Sequence, residues 1–463
     1  MKYRQESDSM GAMQVPESAL YGAQTRRAEL NFPISGWTLP RPFLMALARL
    51  KRAAAVANRD LGRLAPETAE LIVKAADEII AGGHSDQFPL DIFQTGSATS
   101  TNMNMNEVLA NRAIQLAGGV VGSKKPVHPN DHVNLGQSSN DLTPTAAHIA
   151  AALQVTERLL PALEKLKMEL LAKVPAFEKA VKIGRTHLQD AVPIRMGQVF
   201  TGFAGQSDGA IRRVEQARDG LFQLAMGGTA VGTGLNCHPD FPGMVIEQIA
   251  RDTGLPFVET DNHFSAQASM DDFAALAGAL KSVALALIKM ANDIRFLASG
   301  PRSGLGELSL PELQPGSSIM PGKVNPVVCE ALMQASAFAV SADAGVAYAV
   351  AVLSNFELAV AWPYAVWHVL EANRVLSAAI DVFREKVVMG LEVNFARCRD
   401  LCEQSLAMCT SLAPEIGYDK AAAIAKAASE RGLTVREVAR EMSGLSEADL
   451  DRLLDPGAMT GRG

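Results

Sequence analysis

Four stretches of the chain, about 143–180, 193–225, 265–298 and 326–388, keep apolar residues at the three- and four-residue spacing of an α-helix. Each is longer than a globular helix usually runs. Thirty helical residues reach about 45 Å, and helices of that length pack as a bundle. The last stretch must hold at least two helices, broken near Asn355 and Pro363. Two parts of this material, 274–289 (AALAGALKSVALALIK) and 344–353 (AGVAYAVAVL), are apolar on nearly every face. A helix without a polar side must be covered all round, which one subunit rarely manages. Oligomerisation through the bundle is therefore expected.

Shorter elements flank the bundle. Residues 42–60 (PFLMALARLKRAAAVANRD) repeat the helical spacing and stop before Gly62, and 66–81 opens on Pro66-Glu67-Thr68 and stops at Gly82-Gly83. Strand signals are scarce, with 180–183 and 256–259 the candidates for small hairpins. From about 396 the chain returns to short, more charged helices, one with a capped start at Ser446-Glu447-Ala448-Asp449. The expected fold is mostly α. It has an N-terminal helical domain (1–137), a central long-helix bundle domain (138–395) and a small C-terminal helical domain (396–463).

Hydrophobic residues make up 48% of the 463 and aromatics only 5%, so Ala, Leu and Val fill the core, which suits close helix packing better than a β-sandwich. A net charge of −7 argues against a nucleic-acid partner, and an anionic substrate would need local basic groups to attract it. The opening MKYRQESDSM has neither an apolar signal core nor an Arg/Ser-rich presequence. The apolar stretch 344–362 is interrupted by Ser354, Asn355 and Glu357 and makes a poor membrane span. A soluble, cytoplasmic protein with no membrane partner is expected. The five cysteines form no zinc-type CxxC pair, and Cys398 and Cys402 are expected to be buried free thiols.

The chemistry concentrates in 316–330, GSSIMPGKVNPVVCE. Ser317 and Ser318 sit between Gly316 and Gly322, with Lys323 and Asn325 close by. Glycines let such a loop fold tightly or swing as a lid, and its N–H groups with Lys323 would hold a carboxylate or a developing oxyanion. Residues 94–112 place Ser97 and Thr99 in a turn before a helix with asparagines at 102, 104 and 106, a natural carboxylate site at a helix N-terminus. In 128–141, Ser138, Ser139 and Asn140 again precede a long helix, behind a His128-Pro129-Asn130-Asp131 turn. With no third ligand beside His128, Asp131 and His132, a metal is not expected there. Residues 184–190 (GRTHLQD) set His187 among polar neighbours beside Thr186, as suits a general acid/base, and Glu330 is a candidate carboxylate to hold it. The Gly-rich 227–238 lacks the frame of a nucleotide loop and is expected to be a tight turn linking two long helices.

Assembled, these residues resemble the class II (iron-independent) fumarate hydratases of the fumarase/aspartase superfamily. Gly316–Asn325 (GSSIMPGKVN) matches the hallmark segment without a gap, and 15–27 (VPESALYGAQTRR), 94–112, 128–141, 184–198 and 227–236 follow in the family order. The resemblance implies a three-domain subunit in a homotetramer whose active sites are each built from three subunits. It implies reversible hydration of fumarate to (S)-malate, a step of the tricarboxylic acid cycle, on a small dicarboxylate substrate without metal or organic cofactor. Carried over, Ser317 is the base and His187, oriented by Glu330, handles water at C2. Ser97, Ala98, Thr99, Ser138, Ser139, Asn140, Thr186, Ser318, Lys323, Val324 and Asn325 bind substrate, and His128, Pro129, Asn130 and Asp131 form a second dicarboxylate site. Ser139, Gly228 and Cys329–Leu332 side with the hydratases, whereas His132 and Ser100-Thr101 resemble the sister aspartate ammonia-lyases, the alternative reading. Ala98 stands where the hydratases commonly have Gly. An inactive crystallin-like structural protein, a remoter alternative, would have eroded groups, yet Ser317, Lys323, His187 and Glu330 are all present.

Overall fold

A computed structural model describes residues 2–461 and is mostly helical, with only two-stranded sheets among the described residues. The chain divides into two compact units. The first comprises residues 1–161, 212–282 and 337–376; the second comprises 162–211, 283–336 and 377–463.

In the first unit, helix Arg41–Asp60 starts at a proline in its first turn and buries Phe43, Leu44, Leu47, Leu50 and Ala54 along one stripe. It packs against helices Pro66–Ile80, Ser139–Gln154 and Phe241–Thr253. Trp362 is wholly buried edge-on to Phe273, with centroids 5.5 Å apart. An antiparallel hairpin, Tyr3–Asp8 with Gly11–Pro16, was not expected. Only Glu6 and Val15 of its residues are buried, so it carries no alternating apolar pattern to read.

The second unit holds the hairpin Val181–Thr186 with Gln189–Arg195 and a C-terminal core. Met408, Leu412, Ile424, Val435, Val438 and Leu450 form that core, together with Ile183 from the hairpin. Helix Glu447–Leu453 is capped by Ser446, as expected, and Cys398 and Cys402 are buried free thiols.

The long helices depart from the sequence reading at their joints. Over 143–180 the helix begins earlier, at Ser139, and a single π turn, Val155–Leu159, interrupts it before Leu160–Phe177. Residues 193–195 finish a strand, and the next helix is Met196–Gly220. Over 265–298 there are two helices, His263–Ala268 and Asp271–Leu297, because Ser269 is extended and its hydroxyl accepts the Asp271 N–H to start the second. A small hairpin at Ser354–Asn355 and Leu358–Ala359 breaks 326–388, and Pro363 sits in the first turn of helix Trp362–Phe383 and so starts it instead of breaking the run. Val258–Glu259 is no hairpin; it pairs in parallel with Gln223–Leu224. The Gly-rich turn leads into a helix of 13 residues, Phe241–Thr253, not a long one.

Candidate active site

In the first unit, two Ser/Thr clusters far apart in sequence are tied together. Helix Thr99–Leu116 starts behind Ala98, whose backbone is left-handed at φ 56°, the conformation glycine adopts most freely. That accounts for the glycine the resemblance places there. Across this start the Ser97 and Thr99 hydroxyls lie 2.9 Å apart. Thr143 donates its hydroxyl to the Ser97 carbonyl at 2.9 Å, and Asn102 donates its amide to the Ser139 hydroxyl oxygen at 3.0 Å, which leaves the Ser139 proton to donate elsewhere. Ser138 caps helix Ser139–Gln154 by accepting from the Asn140 N–H at 3.2 Å. Asn140 in turn donates to the Ala230 carbonyl at 2.8 Å, joining the Gly-rich turn to the cluster. The result is a helix N-terminus ringed by small hydroxyls and amides, the donor set an anion needs.

Beneath it lie polar groups whose role the sequence reading missed. Asp141 is wholly buried; one oxygen accepts from the Ser138 N–H at 3.1 Å and the other from Gly227 and Thr229 at 3.1 and 2.9 Å. Lys51, also wholly buried, donates to Asn134 and Gln137 at 2.9 and 3.0 Å, and the amides of Asn102 and Asn106 reach the same Asn134 oxygen. Burial pushes the Lys51 ammonium well below the usual lysine range, and the Asp141 charge draws it back up. One sign was available in the sequence: position 51 continues the buried stripe of Phe43, Leu47 and Leu50, an odd place for a lysine.

The 128–131 turn folds on itself. His128 Nδ1 accepts from the Asn130 and Asp131 N–H groups at 3.2 and 3.1 Å, with an Asp131 oxygen 3.3 Å away. His132 Nδ1 accepts from the His128 N–H at 3.0 Å, and burial lowers its pKa. Pro129–Val133 packs on helix Thr99–Leu116.

The second unit carries the other candidates. Thr186 and His187 stand exposed at a hairpin tip, with His187 and Leu188 both left-handed (φ 56° and 61°), as a two-residue hairpin turn of the primed type demands. The 316–325 segment folds as a closed loop. The Gly316 N–H donates to the Lys323 carbonyl at 2.7 Å and the Asn325 amide to the Gly316 carbonyl at 2.8 Å. Only Gly322 needs a left-handed backbone (φ 80°); Gly316 is required by close approach, since a Cβ there would sit 2.5 Å from the Lys323 carbonyl. Inside the loop the Ser317 hydroxyl oxygen accepts from the Ile319 and Met320 N–H groups, both at 3.2 Å. Ser318, Lys323 and Val324 are exposed, and Ser317 and Asn325 half-buried. Glu330 lies in the first turn of helix Val327–Val352, and among the described residues no hydrogen bond within the chain joins it to His187. Ser97–Thr99, Ser138–Asn140 and His128–Asp131 thus belong to one unit, and Thr186, His187, the 316–325 loop and Glu330 to the other.

Residues 11–341 match the profile of a family described as Lyase, and residues 408–461 match one described as Fumarase C C-terminus. The class II fumarate hydratase of Bordetella parapertussis is 51% identical over 460 residues, covering 99% of each chain. The mitochondrial fumarate hydratase of Rattus norvegicus is 50% identical over 461 residues, covering 99% of this chain and 90% of its own. Among solved structures, a recombinant class II fumarase from Schistosoma mansoni superposes with a TM-score of 0.96 at 38% identity, covering 99% of both chains.

Proposed function

The chain belongs to the class II fumarate hydratases, and from that premise we propose that it is a carbon–oxygen lyase interconverting fumarate and (S)-malate. The observation that carries the mechanism is the Ser317 hydroxyl, whose oxygen already accepts two backbone N–H groups inside a loop that also holds Lys323. Such donors stabilise an alkoxide and lower the serine pKa. In dehydration the Ser317 alkoxide takes the C3 proton of malate, and the C–H electron pair moves into the adjacent carboxylate. That group then bears two negative charges, for which Lys323, Asn325 and the loop N–H groups are the counterweight. The pair returns to form C2=C3 as the C2–O bond breaks, and the hydroxyl leaves as water with a proton from His187, whose imidazole Glu330 orients. Hydration runs the same steps in reverse.

Ser97, Ala98, Thr99, Ser138, Ser139, Asn140 and Thr186, with Ser318 and Val324, complete the substrate-binding set, and His128–Asp131 form a second dicarboxylate site. The working form is a cytoplasmic homotetramer whose active sites each draw on three subunits, with domain limits at 137/138 and 395/396. Support comes from the long helices. The most apolar window of Val327–Val352 is only 28% buried within the chain, and Leu285, Phe296, Tyr348 and Val352 are exposed. Apolar faces of that size require partners.

Both the activity and the assembly are open to test. Fumarate absorbs in the ultraviolet, so (S)-malate should give a rising signal; ammonia release from L-aspartate faster than malate dehydration would refute the substrate assignment. Light scattering should give about four times 49.2 kDa, and mixing Ser317→Ala with His187→Asn subunits should restore some activity. A stable active monomer, or no recovery after verified subunit exchange, would overturn the shared site.

A further inference from the structure

The hairpin bearing Thr186 and His187 is gripped by a carboxylate that takes no part in the steps above. Glu307 is wholly buried, and its two oxygens receive Arg185 as a fork, Nη1 to Oε2 at 2.8 Å and Nη2 to Oε1 at 3.2 Å. Lys182, itself buried, brings Nζ to within 3.3 Å of the same carboxylate. Lys182 and Arg185 are three positions apart, and a flat strand would send them to opposite faces. Here Ala191 and Val192 together oppose Gly184, a bulge that adds local twist, and both cationic heads converge on Glu307. Gly184 permits it, because a Cβ there would lie 2.6 Å from the Val192 carbonyl.

Glu307 cannot wander. Its own N–H donates to the Leu297 carbonyl at 2.8 Å, and its carbonyl accepts from the Asn394 N–H at 3.0 Å and the Cys398 thiol at 3.7 Å. A wholly buried acid with two cations is a poor way to gain stability, since well-packed apolar groups of similar size often do as well or better. Two residues beyond Arg185 the chain reaches His187, held with Leu188 in a backbone conformation that residues with side chains avoid. A hairpin made only to turn would carry Asn-Gly there.

We propose that Glu307 is a positioning residue for His187: by clamping Arg185 and Lys182 it fixes the root of the hairpin and so the aim of the imidazole at the substrate. This rests on His187 being the acid/base group, and the test separates the two. Arg185→Lys keeps a cation on Glu307 and removes the fork. Its effect on kcat for malate is measured in the wild-type tetramer and again in a His187→Asn background. Acting through His187, the substitution lowers kcat about tenfold or more in the first, with KM little changed, and less than about twofold in the second. A wild-type loss below about threefold, or an equal loss in both backgrounds, overturns the clamp. His187→Asn that keeps wild-type kcat overturns the acid/base reading instead. Should Arg185→Lys give no folded tetramer, Arg185→Gln, which also removes the fork and leaves Glu307 balanced by Lys182, is carried through the same cycle under the same criteria.

Discussion

Replacing Asp141 by Asn probes how the start of helix Ser139–Gln154 is held. One carboxylate oxygen fixes the Ser138 N–H, and the other fixes the Gly-rich turn through Gly227 and Thr229. Asparagine has the same size but one acceptor. With its oxygen toward Gly227 and Thr229, its amide faces the Ser138 N–H, which is left unpaired in a part-buried site at a cost of about 1–2 kcal/mol. Lys51 also loses the charge that offsets its burial. Lys51 is hydrogen-bonded to Asn134 and Gln137 rather than to Asp141 and can shed its proton, so losing the Asp141 charge costs about 2 kcal/mol, less than the about 3–5 kcal/mol of a broken buried ion pair. The total is about 3–4 kcal/mol. Urea unfolding at fixed protein concentration measures it, alongside KM for malate, which should rise as Ser138 and Asn140 lose their register. With Lys51→Met added, the double variant should be about 2 kcal/mol more stable than the two single losses sum to, because the cation that suffers is gone. A loss under about 1 kcal/mol for Asp141→Asn, or strict additivity in the double variant, would refute the reasoning.

The 316–325 loop yields two further predictions. Ser317→Ala should cost about 10² to 10⁴ in kcat with KM little changed, and retention of more than about a tenth of wild-type kcat would remove Ser317 as the base. Gly316→Ala would set a Cβ 2.5 Å from the Lys323 carbonyl and open the closed loop. The loop is mostly exposed, so the thermal midpoint should hold while kcat falls about tenfold or more, and an unchanged kcat would mean the closed loop is not the working form. At the surface, Arg112 foremost and also His84 hold the Glu78 carboxyl down at about 2, from 4.5. A lowered carboxylate stabilises the fold above its ordinary value, and that contribution is lost as pH falls from 4.5 toward about 2. Glu78→Gln should therefore cost about 1 kcal/mol near neutrality, after allowance for solvent screening of a part-exposed pair. The gap should narrow as the solution is acidified; a gap independent of pH would contradict the assignment.

Much of this protein is legible in its sequence because helix formation is decided by neighbours three and four positions away. The spacing and glycine stop of 42–60 place helix Arg41–Asp60 within a residue, and Ser446 caps where a capping residue should. The 316–325 segment is likewise legible as a tight loop: its hydroxyls, cation and glycines lie within ten residues, and the loop closes between Gly316 and Asn325. The hairpin at Tyr3–Asp8 and Gly11–Pro16 stays silent, since a solvated strand pair leaves no apolar alternation. Tertiary structure alone decides what buried polar groups do. Nothing near Lys51 announces Asn134 and Gln137, 83 and 86 positions on, and nothing near Arg185 announces Glu307, 122 positions away. A charge can stay buried only where the fold brings its partners, and that is settled when distant segments pack, not by the residues beside it.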